Sequence, residues 1–79
     1  MNTYETEFFC RCPENGIRIK YLLTIQTERK IMVEAIIKAI ESFAEGFHED
    51  IADKLHEEFG GLQTLVADHH GVRITTHRE

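Results

Sequence analysis

Between Tyr4 and Cys12 the chain alternates: Tyr4, Thr6, Phe8, Cys10 and Cys12 fall on one side, with Glu5, Glu7 and Arg11 opposite. A period of two predicts a half-buried β-strand. Pro13-Glu14-Asn15-Gly16 follows, and its Asn-Gly step predicts a turn because both residues tolerate positive φ. Alternation resumes from Ile17 to about Thr27. Ile17, Ile19, Tyr21, Leu23 and Ile25 face one way; Arg18, Lys20, Thr24 and Gln26 face the other. The two segments read as a hairpin. After Glu28-Arg29-Lys30 the period lengthens. Met32, Ile36, Ala39, Ile40 and Phe43 recur at helical spacing, and Gly46 is placed to end that helix in a left-handed conformation. A second helix is predicted from Phe47 or His48, with Glu49 and Asp50 at its positive end. Ile51, Ala52, Leu55 and Phe59 form its buried face, and Gly60-Gly61 stops it. Leu62 to Ala67 and Val72 to Thr76 read as two short strands, joined by Asp68-His69-His70-Gly71 with both histidines in a solvated turn. The expected fold is α+β, one domain over residues 1–79 in the order ββααββ: a four-stranded antiparallel sheet with both helices on one face.

With 79 residues such a chain buries only a small core and leaves its outer strands unpaired. Edge pairing between copies into a closed barrel, a homo-oligomer, is the expected remedy, and a site on the open face would then be shared between subunits. The formal net charge of -5 argues against general nucleic-acid binding, since no basic stripe is available to displace counterions. No stretch is long and apolar enough to span a membrane, and Met1 to Glu7 is polar and acidic, unlike a signal peptide. Cys10 and Cys12 stand too close along one strand for an ordinary structural disulfide. Free thiols in a reducing cytoplasm are the expectation.

Four short segments, in this order and spacing, carry a resemblance. Phe8-Phe9-Cys10-Arg11-Cys12-Pro13 with Gly16 after it, Val33-Glu34, Phe47-His48-Glu49-Asp50, and Gly71-Val72-Arg73-Ile74 resemble landmarks of the 7-cyano-7-deazaguanine reductases of queuosine biosynthesis, the QueF family. That family has the tunnelling fold, or T-fold, of enzymes that handle purines and pterins. The resemblance implies that Cys12 attacks the nitrile carbon of 7-cyano-7-deazaguanine to form a covalent thioimide. It implies that Glu49 anchors the heterocycle through two N–H bonds. His48 acts beside it as a hydrogen-bond partner or proton carrier.

The chain also departs from that pattern. The family's general acid is an aspartate a few residues after the nucleophile; here that place falls at Ile19 or Lys20, and Glu14 is the nearby carboxylate. The family's NADPH motif opens the first helix with a glutamate and continues with lysines. Glu34 keeps the first element as a candidate cofactor contact, but Glu34-Ala35-Ile36-Ile37-Lys38-Ala39 puts hydrophobic residues where charge is expected. If active, the chain reads as a nitrile-processing enzyme, closer to the QueF-like amidinotransferases of transfer RNA modification than to a nicotinamide-dependent reductase. A non-catalytic T-fold assembly or base-binding module is the alternative. A third reading is a zinc-dependent pterin or purine enzyme relative, drawing on Cys10, Cys12, His48, His69, His70 and His77, although their spacing matches no zinc motif. Without the resemblance, Cys12 reads as a small buried hydrophobe and Glu49 and Asp50 as partners of the helix dipole.

Overall fold

The computed structural model describes all 79 residues, Met1–Glu79. The chain order is β1 (Asn2–Arg11), β2 (Arg18–Thr27), α1 (Val33–Glu41), α2 (His48–Phe59), β3 (Leu62–His69) and β4 (Val72–Arg78). The strands form one antiparallel sheet in sequence order, so β1 and β4 are its two edges. Register aligns the apolar positions across the sheet: Phe8 faces Tyr21, Tyr21 faces Ala67, and Leu23 faces Leu65. With a side-chain period of two, this registry puts Phe8, Cys10, Ile19, Tyr21, Leu23, Ile25, Leu65 and Ala67 on a single face. The helices cover that face with Ile36, Ala39 and Ile40 from α1 and Ile51, Ala52, Leu55 and Phe59 from α2, and these residues form the buried core.

The turn chemistry explains how the second half is held. Gly60 and Gly61 both adopt positive φ, and at Gly61 an added Cβ would stand 2.7 Å from the Gln26 carbonyl oxygen. Only glycine lets the chain leave α2 and enter β3 so close to β2. Gln63, buried just beyond, donates from Nε2 to the carbonyls of Leu55 (3.1 Å) and Gly60 (2.8 Å), which ties the end of α2 to the sheet.

Three details differ from the sequence expectation. Helix α1 ends at Glu41 rather than near Gly46, because the following segment pairs with the end of β1. The Arg11 amide donates to Ala44 O at 3.0 Å, and the Gly46 amide donates to Arg11 O at 3.1 Å. Met32 precedes the helix and is exposed rather than part of its buried face. Finally, β3 and β4 each run two residues further than predicted: β4 reaches Arg78, which still pairs with Gln63 of β3, and β3 reaches His69 because His70 and Gly71 alone make the connection, both at positive φ. Two consecutive residues of that conformation match the twist of a tight hairpin. His69 is therefore the last residue of a strand, half-buried, and not part of a solvated turn.

Candidate functional site

At the N-terminus of α2, a cleft of about 600 Å³ is lined by Phe47, His48, Glu49, Asp50, His69, Ile74 and Thr76. The helix start, the end of β3 and the middle of β4 each contribute. Phe47 leads into the helix in an extended conformation and its ring is half exposed. Glu49 and Asp50 occupy the first turn, where the free backbone N–H groups favour negative charge. The Glu49 side chain is 81% exposed and meets Arg78 only at 4.0 Å, whereas Arg78 Nε bonds Asp53 at 2.8 Å. Glu49 thus keeps its carboxylate free toward the cleft.

His48 is the inward neighbour of Glu49 and is buried. Its Nε2 lies 3.1 Å from the Leu65 carbonyl, and its Nδ1 lies 3.1 Å from Nε2 of His69. Neither ring nitrogen of His48 is left for a ligand. Burial holds its pKa below the ordinary histidine value, helped by His69 and Arg78; the Leu65 hydrogen bond and Glu49 act in the opposite direction. The ring rests on Tyr21 (centroids 5.4 Å apart), and His69 meets the same tyrosine edge-on at 6.0 Å. Tyr21 also stacks on Phe8 at 5.2 Å. Its hydroxyl is pushed up to about 12 by burial first, and then by the charges of Cys10 and Cys12. Tyr21 thus packs against both histidines on one side and Phe8 on another.

Cys12 lies one residue beyond β1, half-buried against the core, and does not line the cleft. Its backbone closes the turn: the Cys12 amide donates to Ile17 O (2.9 Å), and its carbonyl accepts from the Gly16 amide (2.8 Å). Cys10 is fully buried, and burial raises its thiol pKa, with a smaller contribution from Glu45. Ile19 occupies the core, Lys20 pairs with Glu7 at 3.2 Å on the opposite face, and Glu14 is exposed in the turn. No carboxylate replaces the missing acid in that stretch of strand. Glu34 sits exposed in the first turn of α1, away from the α2 cleft. No group of three or more His, Cys, Asp or Glu side chains converges as a metal site would require.

The structure thus brings together His48 and Glu49, leaves Cys12 on the neighbouring turn, and adds His69, which the sequence reading placed in a solvated turn and named only as a candidate zinc ligand, and Tyr21, to which it gave no site role. The signal for His69 was present: continuing the inward alternation Gln63, Leu65, Ala67 by one step reaches it.

No family model matches the sequence, and no curated protein is significantly similar to it. The fold is similar to that of the archaeosine synthase QueF-Like in its apo crystal form, with a TM-score of 0.69 and 16% sequence identity. The match covers 98% of this chain and 89% of that one. The chain therefore shares a T-fold-like ββααββ architecture with that structure, the fold expected from its order of elements.

Proposed function

We propose that the chain binds a purine- or deazapurine-type heterocycle in the cleft at the start of α2, with Glu49 as the anchor. The observation that carries this reading is the convergence of an exposed carboxylate, held only by a long ion pair to Arg78, an exposed aromatic ring and a histidine pair around one opening. A carboxylate accepts two parallel N–H bonds from a guanine-like edge. The Phe47 ring offers a face for a flat ring to stack on. A cleft of this size suits a small molecule. The fold shared with an archaeosine synthase supports the same ligand class.

Within that reading Cys12 is the candidate nucleophile for 7-cyano-7-deazaguanine. Its thiolate adds to the nitrile carbon, a C–S bond forms, the nitrile nitrogen takes a proton from solvent, and a thioimide results with no leaving group. Queuosine- or archaeosine-type nucleoside modification is the corresponding role. Reduction by NADPH draws no support from Glu34, which stands apart from the cleft. The position of Cys12 outside the cleft favours a second reading, a base-binding module without turnover.

Pairing of the open β1 and β4 edges between copies is proposed as the assembly mode, with Glu5 and Glu7 on one edge and Arg73 and Arg78 on the other. Such pairing brings the turn of one copy and the cleft of another to a common boundary.

Intact-protein mass spectrometry after incubation with 7-cyano-7-deazaguanine tests both readings. A mass gain of one ligand, lost in Cys12→Ala, makes the chain a nitrile-processing protein. Binding by calorimetry with no adduct selects the base-binding module, and neither adduct nor binding defeats both. Native-state spectra of the same samples count the subunits; a monomer refutes edge pairing.

A further inference from the structure

We propose that His69, not His48, presents the working imidazole nitrogen to the cleft, and that His48 is the buried positioning residue that fixes its tautomer. The inference rests on the heterocycle-binding reading for its ligand but not for its hydrogen-bond logic. A carbonyl oxygen only accepts, so the contact between His48 Nε2 and Leu65 O requires the proton on Nε2. In the neutral ring, Nδ1 then carries the lone pair. Burial, which disfavours the charged form of His48, keeps it in that state. The 3.1 Å contact to His69 therefore runs in one direction, with His69 Nε2–H donating to His48 Nδ1. That leaves Nδ1 of His69 as the lone pair of the pair, and it has no partner within the chain. A proton entering from the cleft has this one nitrogen to meet. Once it is there, His69 presents an N–H outward and donates a charge-assisted bond inward.

The groups around the pair are consistent with this arrangement. Tyr21 from β2 walls both rings, Glu49 and Asp50 stand on the first turn of α2, and Arg78 approaches from β4. Glu49 accepts, and His69 donates on the same cleft once its Nδ1 has taken up a proton. A heterocycle edge with N–H donors beside a ring carbonyl, the lactam edge of a guanine-type base, fits that order: the carboxylate takes the N–H groups and His69 Nδ1–H takes the carbonyl oxygen. With the proton on Nδ1, His69 thus acts as a specificity residue for a ring carbonyl over a ring amine.

Long-range ¹H–¹⁵N spectra of the imidazoles test the assignment without ligand. His48 and His69 are both expected as Nε2–H tautomers, with the lone pair of His69 on Nδ1. A His48 carrying its proton on Nδ1 overturns the proposal. His69→Gln keeps an amide N–H at the inner position and removes the outer nitrogen. It should preserve the fold and the His48 tautomer yet weaken binding of 7-cyano-7-deazaguanine by roughly tenfold or more, the loss of one hydrogen bond to a charged partner. Equal binding by wild type and His69→Gln overturns the ligand role. If wild type binds no such base, the heterocycle reading fails with it, while the tautomer spectra still decide the histidine assignment.

Discussion

Two chemically promising tips lie at the same end of the sheet, and they differ in what folding leaves available. The β1–β2 tip carries Cys12. The β3–β4 tip carries His69 and faces Glu49 across the start of α2. Asn15 Nδ2 and His70 Nε2, 3.0 Å apart, join the two. At the first tip nearly everything is satisfied: both backbone groups of Cys12 are bonded, its side chain lies on the core, and the Ile17 amide is held by Asn15 Oδ1 at 3.0 Å. At the second tip the buried histidine bonds end on the outer nitrogen of His69, which remains open beside the exposed Glu49 carboxylate, held only at 4.0 Å by Arg78. A reactive residue type is thus a weaker guide to a site than the unsatisfied, accessible atoms left after the rest of the structure has taken its partners.

The contrast can be broken most forcefully at His48. Its replacement by alanine removes a buried ring from Tyr21 and leaves the Leu65 carbonyl without its donor. The expected loss is about 2–4 kcal/mol in urea denaturation. A loss below about 0.5 kcal/mol, typical of an exposed surface position, would mean the histidine pair does not hold this corner together.

The pH dependence sharpens the same point. His48 has a folded-state pKa below its ordinary value of 6.5, so the unfolded chain binds more protons in that range. Stability from this group is present above pH 6.5 and is lost as pH falls through the lowered value. The midpoint urea concentration should fall between pH 6.5 and about 5, before most carboxylates titrate, and the slope there should flatten in His48→Gln. An unchanged slope in the variant would assign the dependence to another group.

The smallest effect concerns the link between the tips. Asn15→Ala removes a turn-stabilising bond to Ile17 and the contact with His70, both exposed, and should cost about 0.5–1 kcal/mol. Its Cys12 turn should loosen, read as faster amide exchange at Gly16 and Ile17, with the His48 tautomer unchanged. A shift in the His48 resonances would show that the two tips are coupled rather than merely adjacent.

Much of the fold was legible because it follows from local spacing. Alternation in β1 and β2 fixed which residues face inward, and the helical spacing of Ile51, Ala52, Leu55 and Phe59 identified the buried face of α2. Gly60-Gly61 marked a stop that the close approach of Gln26 makes necessary. Glu49 was singled out by the resemblance of Phe47-His48-Glu49-Asp50 to a family element, and it does line the cleft. What escaped were features decided by distant partners. Gly46 has the residue type of a helix cap, yet it serves as a donor to Arg11, a residue 35 positions earlier in the chain. His69 was misplaced because the length of a hairpin connection depends on the φ angles that His70 and Gly71 adopt.

The sequence by itself determined the order of elements, the inward set of each strand, and the placement of an acidic helix start after Phe47, since periodicity and turn propensity act over a few residues. Only the tertiary structure decided that His48 is turned inward with both nitrogens occupied and that His69 takes the outward place. It also decided that Cys12 stays on the neighbouring turn. The reason is that hydrogen-bond direction and burial belong to pairs of residues far apart in the chain, and no spacing rule along one segment encodes them.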